Sequence, residues 1–453
     1  MRYPMGSVVL WCLVSALAGF LFGFDTVVIS GAERTIQDLW GLSPWAHGIA
    51  MASALYGTVL GAMFGGWPSD RLGRKPTLAW VGVLYFVSAV WSGLAHDVWA
   101  LTVARFIGGL GVGISTVASP LYISEIAPPA TRGRLTGLFQ LNIVLGILAA
   151  FFSNYLLEGV ADDWRWMLGA EAFPALAYTL ATLAIPESPR WLLLRGADGD
   201  RDRALRVLSM MHPQATPRDL EQEADRIEAA SAEAGLDTGS LAGLGWPIVL
   251  AVLIALFNQF SGINAVLYFA PRIFEMAGLG EKAALLQSIG IGVTNLVFTF
   301  VGLWLIDRVG RRTLLAIGSL GSGTSLGLCA WAFAAGHETI VPACIFAFVA
   351  AHAVGQGAVI WVFISEIFPV RFRATGQAIG CATHWVMAAA LTTVFPTVVA
   401  HFAPSTVFAF FCGMMMLQLA WVLTMVPETK GLLLEELARR LSGRPTRGRP
   451  TAR

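Results

Sequence analysis

The residues that could do chemistry gather in one apolar stretch. From Asn258 to Tyr268 the chain reads Asn-Gln-Phe-Ser-Gly-Ile-Asn-Ala-Val-Leu-Tyr, which sets Asn258, Gln259, Ser261, Asn264 and Tyr268 inside a run otherwise suited to hydrocarbon. An unpaired amide there is costly and needs a partner or a water-filled cavity. At helical spacing these side chains share one broad face. Gly262 lets the backbone bend or another group approach. Carboxamides donate and accept hydrogen bonds, so such a face suits a neutral, hydroxyl-rich solute. The competing reading is that the amides bond helices together.

Two charges also fall within apolar runs: Asp25, in Phe22-Gly23-Phe24-Asp25-Thr26, and Arg105, in Ala104-Arg105-Phe106-Ile107. At 1.5 Å per residue, both lie roughly 7–11 Å below the same membrane face. Charges at that depth pair or line a pathway. An aspartate that sheds its arginine and takes up a proton is a coupling site, and one that keeps it is a structural pair. The residues alone leave both open. Glu171 has no partner that the sequence names, and His352 is assigned no role. There is no HExxH, GxSxG or nucleotide loop, so no enzyme, cofactor or metal site is expected. Cys12, Cys329, Cys344, Cys381 and Cys412 are scattered through apolar runs and read as inert thiols.

Membrane helices must position these groups. The chain has 453 residues, 56% hydrophobic and 13% charged, about half the charged fraction of a soluble protein. A net charge of +1 gives no footprint for nucleic acid. Runs of about 20 apolar residues mark a span. Twelve are counted, roughly at 8–30, 46–67, 76–95, 98–120, 135–156, 166–186, 246–270, 284–306, 313–335, 340–365, 374–400 and 404–426. The first is read as a retained helix, not a cleaved leader. Residues 187–245 are charged, with Ala204, Leu205 and Leu208 on one edge, and are expected to form amphipathic surface helices. Arginines and lysines crowd one set of loops (Arg71, Arg74, Lys75, Arg132, Arg134, 187–245, Arg308, Arg311, Arg312, Arg371, Arg373 and the C-terminal arginines). The other set holds Arg34, Arg165, Arg272 and Lys282. The positive-inside rule puts both termini in the cytoplasm.

The sequence repeats. Asp70-Arg71-Leu72-Gly73-Arg74-Lys75 returns as Asp307-Arg308-Val309-Gly310-Arg311-Arg312, Ile123-Ser124-Glu125-Ile126 as Ile364-Ser365-Glu366-Ile367, and Pro186-Glu187-Ser188 as Pro427-Glu428-Thr429. The common order implies two like-oriented six-span halves with a solute site between them. In each repeat the aspartate can cap or pair with a helix end. The arginines can bridge Glu125, Glu187, Glu366 and Glu428, holding the cytoplasmic ends together in one state. Anchoring by positive charge alone is the alternative.

Taken together, the Asp70–Lys75 loop, Pro186-Glu187-Ser188-Pro189-Arg190-Trp191-Leu192, Gln259-Phe260-Ser261-Gly262-Ile263-Asn264 and Pro427-Glu428-Thr429-Lys430-Gly431 resemble the sugar porter branch of the major facilitator superfamily, over nearly the whole chain. The resemblance implies an all-α membrane protein with the major facilitator fold: an N-terminal six-helix half (1–186), cytoplasmic linker helices (187–245), a C-terminal six-helix half (246–430) and a cytoplasmic tail (431–453). It implies an alternating-access carrier for a monosaccharide or polyol, working as a monomer in the inner membrane. Its sugar contacts fall on Gln140, Asn258, Gln259, Asn264, Asn295, Trp361, Trp385 and Phe22, with Tyr268 as an aromatic gate. Its cytoplasmic gate falls on Asp70, Arg71, Arg74, Glu125, Glu187, Arg190, Asp307, Arg308, Glu366 and Glu428. Asp25 matches the aspartate of proton-coupled members and Arg105 its partner, implying proton symport. A facilitative uniporter and a non-transporting sugar sensor are the alternatives. Two departures bear on sugar identity: Asn258 stands for the usual glutamine, and His384 for the usual Asn or Gln before Trp385, where it is expected to contact sugar.

Overall fold

A computed structural model describes residues 5–128, 131–235, 244–368 and 372–430, in which every regular element is helical. Arg371, residues 236–243 of the linker and the tail from 431 lie outside the described residues. Among those described, twelve helices are long and apolar enough to cross a membrane. Spans 1 to 6 are Gly6–Gly31, Pro44–Phe64, Arg74–Gly93, Val98–Ile126, Arg132–Leu157 and Asp163–Ala184. Spans 7 to 12 are Gly245–Tyr268, Glu281–Val309, Arg311–Ala335, Glu338–Ile367, Thr375–His401 and Pro404–Met425. They match the expected runs one for one.

Local chemistry fixes several ends. Ser43 accepts from the Ala46 amide and Pro44 opens span 2, while Asp97 caps span 4 through the Ala100 amide at 2.8 Å. The repeated turn needs its glycine. Gly73 and Gly310 have φ of 106° and 103°, and the carboxylates of Glu187 and Glu428 occupy the space a β-carbon would take. The linker is helical as expected, over Pro189–Arg195, Asp200–Met211 and Pro217–Gly235, with Ala204 and Leu208 buried.

Within the first six spans, 2 packs on 4, 1 on 5, and 3 on 4 and 6; within the last six, 9 packs on 10 and 12, and 7 on 11. Spans 2 and 11, and 5 and 8, join the two sets. The largest apolar core runs through both sets and includes Phe24, Leu55, Phe151, Tyr268, Phe269 and Trp385.

Two spans are not regular helices. Span 7 is broken into Gly245–Phe260 and Ile263–Tyr268, because Gly262 sits at φ 83° and Ser261 Oγ folds back onto the Asn258 carbonyl at 2.6 Å. The single continuous face expected from Asn258 to Tyr268 is therefore two faces joined by a turn. Span 10 carries a π-helical turn at Ala353–Gly357, a local widening often found at functional sites.

Candidate sugar and proton site

The break in span 7 turns its amides toward one another. Gln259 is the hub: its Nε2 donates to Asn258 Oδ1 at 3.0 Å and lies 3.1 and 3.2 Å from the two ring nitrogens of His384, while its Oε1 accepts from Asn264 Nδ2 at 2.7 Å. Asn258 Nδ2 reaches Gln356 Oε1, on the span 10 π-turn, at 3.5 Å. The second polar atom of Gln356, its Nε2, is buried without a partner among the described residues. His352 lies one turn away, its Nδ1 3.4 Å from Ser261 Oγ. Aromatic rings flank this cluster. His384 stands 5.1 Å from Trp361 and edge-on to Trp385 at 4.8 Å, and Phe22 of span 1 meets Trp385 at 5.4 Å. Span 7 amides, span 11 rings and a span 1 aromatic thus converge as expected. Gln140 is half-buried with no side-chain hydrogen bond among the described residues, and Asn295 accepts from Thr299 at 3.5 Å. Neither joins the network.

The second cluster lies on span 1. Arg105 Nη1 bonds Asp25 Oδ1 at 2.5 Å and Nη2 bonds the Asp25 carbonyl at 2.7 Å, with both side chains almost wholly buried. Sequence reasoning missed the third member. Glu171, at the kink between the two helical pieces of span 6, is buried against Asp25, and its Oε1 has no donor among the described residues. The signal was a lone carboxylate in an apolar run, whose partner lies 146 residues away in sequence. Tyr268, at the end of the broken span 7, is buried within electrostatic reach of both Arg105 and Asp25. The amide cluster and the charged cluster therefore adjoin.

The repeated loops build two matching ion networks. Arg74 Nε and Nη2 fork onto Glu125 at 3.0 and 2.9 Å, and Arg311 forks onto Glu366 at 3.1 and 2.8 Å. Glu187 accepts from the amides of Arg74 and Lys75 at 3.0 and 3.2 Å, and Glu428 from those of Arg311 and Arg312 at 2.9 and 3.1 Å. The helix-capping role expected of the aspartates thus belongs to the glutamates. A carboxylate arriving from three spans further along the chain satisfies the open amides of spans 3 and 9 and meets the positive helix end. Asp70 and Asp307 are exposed and pair one turn along with Arg74 and Arg311 at 3.3 and 3.1 Å. Arg71 and Arg308 lie over Trp67 and Trp304 instead of a carboxylate. Arg190 makes no ion pair among the described residues. Burial raises the Glu187 carboxyl above its ordinary value, against the pull of its hydrogen bonds to Ser188, Lys75 and Arg74. Each network stays within one set of six spans.

Residues 11–441 match the sequence model described as sugar (and other) transporter. The chain belongs to this family. It is 36% identical over 446 residues to the arabinose-proton symporter of Bacillus subtilis, covering 96% of this chain and 95% of that one. The xylose transporter XylE from E. coli, in a partially occluded inward-open conformation, superposes with a TM-score of 0.83 at 31% identity, over 94% of this chain and 100% of that one. The XylE proton:xylose symporter of the major facilitator superfamily, bound to 6-bromo-6-deoxy-D-glucose, gives a TM-score of 0.78 at 33% identity, over 97% and 100%. The family member is thus a multi-pass membrane protein with the major facilitator fold and two six-helix halves.

Proposed function

We propose that this chain is a proton-coupled monosaccharide symporter working by alternating access. A single copy sits in the cell membrane with both termini and the arginine-rich loops in the cytoplasm. Residues 1–186 and 246–430 rock about the central amide cluster, with 187–245 as a surface strap. Gln259, Asn258 and Asn264 exchange their mutual bonds for sugar hydroxyls, and Gln140, Asn295 and His384 add donors and acceptors. Trp361, Trp385 and Phe22 cover the apolar ring faces, and Tyr268 closes above them. The paired inner networks, with Asp70, Arg71, Arg190, Asp307 and Arg308 at their rims, stiffen each half and meet when the inner side shuts.

The observation that carries coupling is the buried Asp25–Arg105 pair, with Glu171 against it and Tyr268 of the sugar-binding span in electrostatic reach. Two carboxylates and one guanidinium leave one uncompensated negative charge in a buried site, which a single proton neutralises. That proton loosens Arg105, and sugar closing Tyr268 onto the cluster favours the same state, so each ligand tightens the other.

The test uses purified protein in liposomes holding a pH dye. Xylose, arabinose, glucose, galactose, fructose and inositol are added in turn without an imposed gradient. Internal acidification with one sugar identifies substrate and symport together. Entry of labelled sugar with a flat dye trace makes the protein a facilitative carrier and overturns coupling. Sugar-dependent thermal stabilisation without movement of sugar or proton makes it a sensor.

A further inference from the structure

On the side away from the repeated arginine loops, here the outer side, the ion pairs cross between the halves. Arg272, on the short helix Ala270–Met276 after span 7, donates from Nε to Glu33 at 2.8 Å and from Nη2 to Gln37 at 2.5 Å, both on the helix Glu33–Leu39 after span 1. Arg34 pairs with Glu275, Lys282 lies 3.4 Å from Glu158, and Tyr56 of span 2 bonds Thr393 of span 11 at 2.6 Å. Glu33 differs from the other members. Its side chain is 2% exposed, and its second partner is His47 Nε2, at 2.7 Å, in the first turn of span 2. His47 is wholly buried, and its Nδ1 has no partner among the described residues.

This arrangement fixes the protonation of the closed latch. Nε2 donates to the carboxylate, so it carries the proton. A second proton on Nδ1 would be a buried donor with no acceptor, which costs more than a bare lone pair. The closed latch is therefore Glu33 carboxylate, Arg272 guanidinium and neutral His47, with no net charge. Opening the outer side carries Arg272 away with the other half. Glu33 and His47 stay together, both belonging to the first half, and the carboxylate loses its compensating cation.

We propose that Glu33 and His47 form a second proton site, in which a proton replaces the Arg272 guanidinium each time the outer side opens. The inference rests on the alternating-access reading. A polar cavity of about 350 Å³ beside the latch, lined by Glu33, Arg272 and Glu275 among others, gives solvent a route to it. The other charged groups facing the pair support uptake. Asp38 and Glu281, also lining that cavity, add negative charge, and Arg34 is 64% exposed and held by Glu275. Around His47, Phe269 presents a ring at 6.2 Å, Phe395 of span 11 packs on that ring at 5.0 Å, and the Thr393 backbone lies against the neighbouring Gly48. The proton enters from outside on opening and returns there when Arg272 comes back, so it adds nothing to the number transported. Acid outside thus biases the carrier toward the state that loads sugar and the transported proton.

The test reads conformation, not transport. Native cysteines are replaced by alanine, and spin labels are placed on Leu39→Cys and Thr339→Cys, exposed outer positions on the two halves. Asp25→Asn silences the span 1 site. The ratio of the long to the short distance population is followed against pH in the full chain. One linked proton raises the open-to-closed ratio by up to about tenfold per unit of acidification. His47→Gln is expected to flatten that dependence, and Arg272→Gln to raise the open fraction and flatten it too, because the pair then holds its proton in both states. A parent ratio that ignores pH, or a His47→Gln slope equal to the parent's, overturns the proposal. Neither result touches the symport reading, which the dye experiment judges separately.

Discussion

The coupling role proposed for the Asp25–Arg105–Glu171 cluster predicts a stoichiometry. Its formal count is two negative charges and one positive, since Asp25 and Glu171 face a single guanidinium. One proton closes that gap, and a second would leave a net positive charge with no buried partner, costing several kcal/mol. One proton per sugar then follows. One unit of pH gradient is worth about 1.4 kcal/mol, so it supports about tenfold accumulation at zero membrane potential. Asp25→Asn leaves one carboxylate and one guanidinium, already balanced, and Arg105 keeps its 2.7 Å bond to the backbone carbonyl of residue 25. That variant is expected to fold and to exchange sugar down its gradient, but with an accumulation ratio of one. The assay is uptake of labelled sugar into liposomes under an inward proton gradient. The potential is clamped, because about 100 mV adds 2.3 kcal/mol per charge moved. Hundredfold accumulation per pH unit by the parent, or any concentrative uptake by Asp25→Asn, would refute the reasoning.

Other outcomes follow from the same geometry. Gly262→Ala forces a left-handed backbone on a residue with a side chain, at about 1–2 kcal/mol, and sets its β-carbon 2.7 Å from the Phe411 ring. Initial uptake per mole of folded protein should fall, and an unchanged rate would show that the span 7 break is not needed. Arg74→Met strands Glu125, whose side chain is 5% exposed, and should cost about 3–5 kcal/mol. Arg311→Met should cost less, because Glu366 is 21% exposed and water can reach it; thermal melting in detergent that gives the reverse order would contradict this. In the linker, hydrogen bonds from Arg195 hold the Asp200 carboxyl below its usual range. Its stabilisation relative to Asp200→Asn should be full above about pH 4 and lost as pH falls through the depressed value. Glu187, raised by burial, should show the opposite sign: its disadvantage against Glu187→Gln shrinks as pH drops through the raised value and is gone below about pH 4.

What could be read from the chain was whatever depends on local composition or on repetition. A span announces itself by apolar length, which is why all twelve were found. The inner glutamates were found because the same text occurs twice, and repetition marks a constraint without saying what it is. Of the two roles open to the aspartates, capping and pairing, they take the second. Asp70 stands next to the glycine turn in sequence, but the carboxylate that reaches the open amides is Glu187, brought by the end of span 6. Capping is decided by where a distant chain end arrives, and helical periodicity carries no record of that.

The same argument explains the two partnerships that the sequence does not show. Glu171 and Asp25 belong to spans 6 and 1, and Glu33 and Arg272 to opposite halves, so nothing in their spacing links them. In each case the sequence shows only an ionisable residue at an improbable depth or in a sparse loop. Such a residue predicts that a partner exists, because the bare charge is too costly to bury, but does not identify it. The structure supplies the partners, and they sort into two kinds. Partners within one half, as at Asp25, Arg105 and Glu171, travel together through the cycle, and only a proton can change the bonds between them. Partners across the halves, as at Glu33 and Arg272, must separate when the outer side opens. A carboxylate that loses a cation on opening needs a replacement, and His47 beside it is the group placed to hold one.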